Sequence, residues 1–413
     1  MTGLSRAAQA IAECRLLASF TEEPGHTTRR FLTPPVIEVH AHLRQRMEAL
    51  GMSVSTDAAG NLRGLWQPAA TTRRIAIGSH IDTVPNAGAF DGILGVVLAL
   101  ALVEEAQASK LPLAIEVIAF SEEEGVRFGV PFIGSRAVAG RFDPALFDLT
   151  DSEGISLRQA ILNFGLPPTL LDPALFDQTQ LDNSTIGFFE IHIEQGPVLE
   201  AENRSLAAVS AIVGQSRYEL LFTGHANHAG TTPMHLRHDA LAAAAEWIVA
   251  VEKLALLTEG LIATVGKLFA EPNAGNVIAG SVRASLDLRS ARDSIRTHSL
   301  DELLAQAQAI ATRRGLQCKA ESRMEQPAVP MDEQWTALLA ESLEAAGHPP
   351  LTMSSGAGHD AMVMATRVPT TMLFLRSPGG ISHHPNETVL EADVEAAIYA
   401  ASLFLRRLAA RIE

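Results

Sequence analysis

The sequence has little cysteine, little positive charge and no long apolar run. Its two cysteines, Cys14 and Cys318, lie among charged or polar neighbours, which argues against a disulfide framework or a CxxC metal site and makes a reducing cytoplasm the default location. The net charge of −15 argues against nucleic acid or an anionic membrane as a partner, since both need a basic surface. The longest apolar run, Ile93–Val103, is too short to span a bilayer. The amino terminus does not read as a signal peptide either, so we expect a cytoplasmic protein.

What is present suits a globular protein with more than one domain. The chain has 413 residues, of which 47% are hydrophobic and 19% charged, an ordinary balance for a soluble fold with two domains. In the first half, strand-like runs at 73–80, 113–125 and 186–196 alternate with helical patterns at 34–51 and 93–103. Continuous apolar strands between helices predict an α/β fold with a mixed, mostly parallel sheet covered on both faces.

A segment with a different pattern interrupts this α/β domain. Residues 215–230 alternate apolar and polar side chains, a long helical pattern covers 237–257, strands follow at 260–269 and 280–290, and a helix covers 300–315. That order predicts an inserted α+β sandwich, with helices on one antiparallel sheet. We therefore expect a discontinuous catalytic domain of residues 1–210 and 327–413, ending in a helix over 391–413, and an inserted domain of residues 211–326.

Potential metal ligands follow the ends of the predicted strands. His80, Asp82 and Asp91 come after the first strand, the triplet Glu122–Glu124 after the second, and His192 lies at the end of the third. Far downstream, His383 and His384 form another pair. A lone strand-end histidine is more often structural, and an Asp-Gly pair such as Asp91-Gly92 is more often a turn. Side chains at the carboxyl ends of neighbouring parallel strands converge, however, and their joint occurrence predicts a metal centre.

The ligand types indicate which chemistry that centre would carry. Imidazole and carboxylate ligands together suit zinc, manganese or cobalt, and a shared carboxylate would allow two ions about 3.5–4 Å apart, a spacing used for hydrolysis. Two cations would also neutralise the adjacent glutamates, which otherwise repel one another. A glutamate beside a metal-bound water is placed to act as a general base.

Motifs along nearly the whole chain resemble a known family. They include "GNLRG", "GSHIDTV", "FDGILG", "EVIAFSEEEGVRF", "HIEQGPVLE", "IVGQSRY", "NHAGTTPM", "SGAGHDAM" and "GGISHHPNE". Together they resemble the dinuclear-metal amidohydrolases of the M20 peptidase clan, in the branch of allantoate amidohydrolase, N-carbamoyl-L-amino-acid hydrolase and β-ureidopropionase. The resemblance implies a homodimer whose metal-binding domain is interrupted by a smaller dimerisation and lid domain.

The resemblance also implies roles for the strand-end residues. His80, Asp91 and His192 would hold one divalent ion, and Asp91 would bridge to a second ion. The implied ligands of the second ion, besides Asp91, are Glu124 and His383. Within the triplet the resemblance makes Glu123 the general base, and Glu122 reads as solvated or as a support behind the ligands. Asp82 would orient His80.

Further residues would bind a ureido acid, by the same resemblance. They are Gln195, Arg217, His228, Asn276 and Arg289. A guanidinium fork matches a substrate carboxylate, and His228 would donate a hydrogen bond to the scissile carbonyl. From the residues alone, Arg289 reads instead as a strand-face ion pair and His228 as a turn histidine.

The chain departs from the family pattern at Ala279, where proline is usual, at His384, where a small polar residue is usual, and at His238, where arginine is usual. Within the branch, "FLRSPGGISH" and "SGAGHDAM" are most similar to allantoate amidohydrolases, which release ammonia and carbon dioxide from allantoate. N-carbamoyl-L-amino-acid hydrolase, or β-ureidopropionase, is the alternative. An exopeptidase of the wider clan is a further one, which the motifs of Gln195, Arg217 and Asn276 disfavour. A non-catalytic dimeric binding protein on the same fold is the alternative from another class; such relatives usually lack the base or a ligand, and here all are present.

Overall fold

The computed structural model describes residues 4–68 and 71–412. Residues 1–3, 69–70 and 413 of the predicted catalytic domain lie outside the described residues, and residue 413 is also the last residue of the predicted helix over 391–413. The chain divides into two compact units, Met1–Ser210 with Met331–Glu413, and Ala211–Pro330. Among the described residues, no helix is long and apolar enough to cross a membrane.

The first unit is built on a mixed sheet. Its strands are β1 (Ser53–Thr56), β2 (Leu62–Trp66), β3 (Arg74–His80), β4 (Ala114–Phe120), β5 (Thr185–Ile193), β6 (Leu206–Ile212), β15 (Thr352–Ser355) and β16 (Thr370–Leu375). The order is β1-β2-β4-β3-β5-β16-β6, with β15 also paired to β6. The central pairs β4–β3, β3–β5 and β5–β16 are parallel, whereas β1–β2, β2–β4 and β16–β6 are antiparallel. This confirms the predicted α/β class and its mixed sheet.

Helices of this unit form in each of the three predicted runs, 34–51, 93–103 and 391–413, and also in segments for which no helix is predicted. They are α1 (Arg6–Ala18), α2 (Pro34–Ala49), α3 (Ile93–Ser109), α4 (Ile133–Val138), α5 (Leu157–Asn163), α6 (Pro173–Phe176), α7 (Val198–Ala201), α10 (Glu333–Ala345), α11 (Asp360–Met364) and α12 (Glu391–Ile412). Every residue of the apolar run Ile93–Val103 is buried, as predicted. Helix α2 ends just before Gly51, whose φ of 69° is the left-handed conformation expected after a helix.

Burial along the central strands shows that both faces of the sheet are covered. All seven residues of β4 are buried, as are six of the seven in β3. Because successive side chains of a strand point to opposite faces, such burial requires packing on both sides. The carboxyl ends of β3, β4, β5 and β16 therefore offer an edge where polar side chains can gather.

The second unit is an antiparallel sheet with two long helices. Its strands are β7 (Gly214–Thr223), β8 (Asn227–His228), β9 (Leu261–Thr264), β10 (Leu268–Glu271), β11 (Val277–Ile278), β12 (Ser281–Ser290), β13 (Gln317–Gln326) and β14 (Val329–Pro330), and its helices are α8 (Ala240–Leu257) and α9 (Asp293–Arg313). The main sheet has the order β10-β12-β7-β13, with β9 also paired to β12, while β8 and β11 pair separately. The single strand predicted over 260–269 is wrong, because that run forms the separate strands β9 and β10.

Candidate metal centre

Two buried histidines face each other at the ends of neighbouring strands. His80 ends β3 and His192 lies in β5; their side chains are 2% and 1% exposed. Each ring donates from Nδ1 to a backbone carbonyl, His80 to Asp82 at 3.0 Å and His192 to Ile193 at 2.9 Å. The two Nε2 atoms lie only 3.4 Å apart. Two lone pairs at that distance repel each other unless a proton or a metal ion lies near both.

Asp91 presents its two oxygens to different partners. Its Oδ1 lies 3.2 Å from Nε2 of His192 and 3.8 Å from Nε2 of His80. Its Oδ2 lies 3.2 Å from Nε2 of His383, which in turn is 3.5 Å from Oε1 of Glu124. Asp91 therefore belongs to two groups whose ligand atoms are close enough to hold an ion. We call them the first ligand set (His80, Asp91, His192) and the second ligand set (Asp91, Glu124, His383).

A glycine beside Asp91 makes this arrangement possible. Gly92 has a φ of 67°, and a Cβ at this position would lie 2.5 Å from atoms of the His80 ring. Any side chain there would be strained by its backbone conformation and would displace the imidazole. The Asp-Gly pair thus brings Asp91 against His80 directly before α3 begins.

The glutamate triplet bends away from the strand direction after β4. The backbone N–H groups of Glu123 and Glu124 donate to the two carboxylate oxygens of Asp82 at 2.9 and 3.1 Å. The N–H of Gly125, whose φ is 72°, donates to Oε1 of Glu122 at 2.6 Å. Asp82 thus holds the bend with its carboxylate, while its carbonyl accepts the hydrogen bond from Nδ1 of His80. Glu122 is completely buried, so the solvated reading of this residue is wrong.

The carboxylates of this centre carry more negative charge than the neighbouring side chains of the protein neutralise. Burial raises the pKa of Glu123 well above its ordinary value and that of Glu124 to about 7. Burial lowers the pKa of His192 to about 4, whereas hydrogen bonding to Asp82 and the charge of Glu123 raise the pKa of His80 against the effect of burial. The raised pKa values mean that these groups hold protons more readily unless another cation is present, whereas the lowered pKa keeps the His192 ring neutral, as a metal ligand must be. Together with the facing Nε2 atoms, they show that the residues fit divalent metal ions.

Several supporting residues escaped the sequence reasoning. Buried Glu190 accepts hydrogen bonds from the Ser79 hydroxyl and the Ala361 N–H, both at 2.8 Å. The ring of buried His359 packs edge-on against His192, with centroids 4.4 Å apart. The i, i+2 spacing of Glu190 and His192 on one strand, and the "GHDA" motif around His359, were the available signals. These signals do not show by themselves that Glu190 and His359 lie beside the metal ligands, because the contacts join segments that are distant in the sequence.

Arg29 is another buried residue that the sequence did not reveal. Its guanidinium donates to the carbonyls of Ile81 at 2.6 Å and Leu17 at 2.9 Å. Burial lowers its pKa to about 10, so it remains charged at neutral pH. It therefore ties the loop between His80 and Asp82 to the end of α1.

Gln195 lies at the second ligand set. Its Nε2 donates to both oxygens of Asp91, at 3.1 and 3.0 Å, and lies 3.4 Å from Nε2 of His383. Its backbone has a φ of 59°, unusual for a residue other than glycine. The structure thus places the predicted substrate residue Gln195 among the predicted metal ligands.

The other predicted substrate residues form two groups within the second unit. Asn276 precedes β11 and its carbonyl accepts the Ala229 N–H at 2.9 Å, while His228 is paired with Val277 in the β8–β11 ladder. On the main sheet, Arg217 and Arg289 both bind the carboxylate of Asp287, through contacts of 3.0 and 2.8 Å. The strand-face ion pair considered for Arg289 is therefore present, with Arg217 sharing the same carboxylate.

Comparisons with known proteins found chains that are similar to this one. The pattern that describes Peptidase family M20/M25/M40 matches residues 76–407. The chain is 36% identical to allantoate deiminase of Arabidopsis thaliana, over 96% of this chain and 81% of the relative. It is also 36% identical to N-carbamoyl-L-amino-acid amidohydrolase of Paenarthrobacter aurescens, over 91% of each. The crystal structure of an amidase of the hydantoinase/carbamoylase family from Burkholderia multivorans superposes with a TM-score of 0.90 at 29% identity, covering 98% of both chains.

Proposed function

The chain belongs to peptidase family M20/M25/M40, and on that premise we propose that it hydrolyses the C–N bond of a ureido acid, with allantoate as its substrate. The observation that carries this proposal is the pair of ligand sets that share Asp91, with Glu123 beside them. The similar proteins are named as amidohydrolases or deiminases of allantoate and of N-carbamoyl amino acids. An amide-bond hydrolysis assisted by metal ions is the chemistry that such a site supports.

The proposed mechanism assigns each residue a task. The first ligand set would hold one divalent ion and the second ligand set another, with zinc, manganese or cobalt as the metal. Bound divalent ions would polarise the scissile carbonyl and acidify the attacking water. Glu123 accepts the proton that this water loses as it attacks the carbonyl carbon, and then donates it to the leaving nitrogen. Asp82 keeps Glu123 in place through its backbone N–H.

The tautomer of His228 supports a role at the carbonyl oxygen. Its Nδ1 accepts the Gly230 N–H at 3.0 Å, so the neutral ring carries its proton on Nε2. The side chain is exposed, and Nε2–H is thus a donor available to a substrate oxygen that gains negative charge. Arg217 and Arg289, held side by side on Asp287, would bind the substrate carboxylate together with Asn276 and Gln195.

These roles predict that two substitutions affect different kinetic constants, one kcat and the other KM. His228→Gln should lower kcat by about 10²–10³-fold, because a transition-state hydrogen bond is lost. Arg289→Lys should raise KM by about 10–100-fold with little change in kcat, because the paired hydrogen bonds to the carboxylate bind ground state and transition state alike. Steady-state kinetics at saturating metal measure both. A raised KM for the His228 variant with normal kcat would contradict its role.

The substrate is tested with a panel of ureido acids. We expect the manganese- or zinc-loaded protein to hydrolyse allantoate, with release of ammonia and carbon dioxide. Its kcat/KM for allantoate should be at least about tenfold higher than for N-carbamoyl-L-amino acids or N-carbamoyl-β-alanine. That ratio corresponds to a difference of about 1.4 kcal/mol in transition-state binding. Ammonia release reports the first reaction, and the free amino acid reports the others. Faster turnover of N-carbamoyl-L-amino acids would favour the second candidate, which the 36% identity to such an enzyme supports.

We also propose that the protein acts as a homodimer in the cytoplasm. The second unit exposes apolar side chains on α8, β9 and β10, among them Leu256, Leu257, Ile262 and Phe269. Exposed apolar groups of this kind mark surfaces that associate. A single 44.1 kDa species in sedimentation experiments at micromolar concentration would contradict the dimer.

A further inference from the structure

Glu387 is a buried carboxylate that joins two distant segments of the chain. It follows His383 by four residues and is 5% exposed. Its Oε1 accepts the backbone N–H groups of Phe90 at 3.0 Å and of Asp91 at 2.9 Å. Its Oε2 accepts the hydroxyl of Ser382 at 3.1 Å. One side chain thus binds the backbone of one proposed ligand and the neighbour of another.

The Asp91 segment packs directly on this carboxylate. A Cβ placed on Gly88 would lie 2.3 Å from Cβ of Glu387 and 2.5 Å from its Oε1, so the absence of a side chain at residue 88 allows the close approach. The Ser382 hydroxyl also lies 3.5 Å from Oδ2 of Asp91. Glu387, Ser382 and Asp91 therefore form a continuous polar contact between the two segments.

His383 needs such support more than the other two histidines do. His80 and His192 are almost fully buried, and each is fixed by a hydrogen bond from Nδ1. The His383 side chain is 49% exposed, and within residues 4–68 and 71–412 its Nδ1 has no hydrogen-bond partner. Its φ of 54° is left-handed, a conformation that a non-glycine residue adopts only where its surroundings hold it. The position of His383 thus depends on its loop.

We propose that Glu387 is a positioning residue that fixes the Asp91 segment against the His383 loop and thereby sets the affinity of the second ligand set for its metal ion. The proposal rests on the two-metal centre proposed above. Glu387 belongs to neither ligand set, and the proposed mechanism gives it no contact with the substrate. Residues that orient metal ligands in this way change metal affinity by about 10–100-fold when they are replaced. Because both histidines of the first ligand set have their own hydrogen bonds, whereas His383 of the second set depends on its loop, the effect should be selective.

The experiment measures stepwise Mn²⁺ binding to the chelator-treated full-length protein by calorimetry. The wild type should bind two ions per chain. Glu387→Ala should bind the second ion about 10–100-fold more weakly, with the first ion's affinity unchanged. Glu387→Gln retains an oxygen for the Phe90 and Asp91 N–H groups and should recover most of the lost affinity. If the alanine variant does not fold, Ser382→Ala, which removes the contact to Oε2, should show a smaller loss in the same direction.

Asp239→Ala is the matched control for the loss of a carboxylate that accepts two backbone N–H groups. Asp239 Oδ1 accepts those of Leu241 and Ala242 at the start of α8, at 3.0 and 3.1 Å. The control should lose thermal stability and keep both metal affinities. The inference about Glu387 would be overturned if Glu387→Ala bound the second ion with wild-type affinity, or if its affinities for both ions fell equally. Neither result would affect the two-metal proposal. A wild type that binds only one ion would overturn the two-metal proposal as well.

Discussion

Replacing Glu123 with glutamine is expected to lower kcat by about 10²–10⁴-fold, the usual contribution of a general base. The change keeps the shape of the side chain and removes its ability to accept a proton. The backbone N–H of Glu123 would still bind Asp82, so the bend after β4 should survive. Neither ligand set includes Glu123, so two Mn²⁺ ions should remain bound. Steady-state kinetics and metal analysis of the same preparation check both expectations.

The neighbouring glutamate provides the control for this substitution. Glu122→Gln retains an oxygen for the Gly125 N–H and alters a buried position outside both ligand sets. We expect its kcat to stay within about tenfold of the wild type, a difference of about 1.4 kcal/mol. Unchanged hydrolysis by Glu123→Gln would remove Glu123 as the base. A wild type that hydrolysed no ureido acid would instead favour the non-catalytic binding protein.

Replacing Asp91 with asparagine is expected to lower the affinity of the protein for both metal ions at once. An amide offers a single oxygen and no charge, so it could not serve the first and second ligand sets together as the two oxygens of Asp91 would. Losing metal assistance removes several kcal/mol of transition-state stabilisation, which corresponds to a fall in kcat/KM of about 10³-fold or more. Metal analysis after dialysis and activity at a fixed Mn²⁺ concentration measure the two effects.

His383→Ala tests the second ligand set independently of the first. It removes a ligand from the second set alone, so we expect one ion to remain bound through His80, Asp91 and His192. Added Mn²⁺ should restore activity less effectively in the Asp91 variant than in the His383 variant. Two tightly bound ions in Asp91→Asn would show that this carboxylate is not shared, and the two-metal arrangement would then be wrong.

Local sequence patterns predicted the parts of the fold that depend on local physics. The buried run Ile93–Val103 forms a helix because its apolar side chains can face the core in all directions. Gly51 has a positive φ, as expected directly after a helix. The run 260–269 was predicted as one strand but forms two. Both pair with β12, along different parts of that strand, and such pairing is decided by the sheet rather than by the segment.

The sequence by itself determined the residue types of the site and their place after the strands of a parallel sheet. The tertiary structure decided what each of them contacts. Glu122 is buried because its Oε1 binds the Gly125 N–H inside the bend, and Glu387 reaches Phe90 and Asp91 across almost 300 residues. Hydrogen bonds between distant segments depend on how the chain folds back on itself, which local periodicity does not record. Side-chain chemistry is local, whereas the pairing of charges and the orientation of imidazole rings are properties of the folded chain.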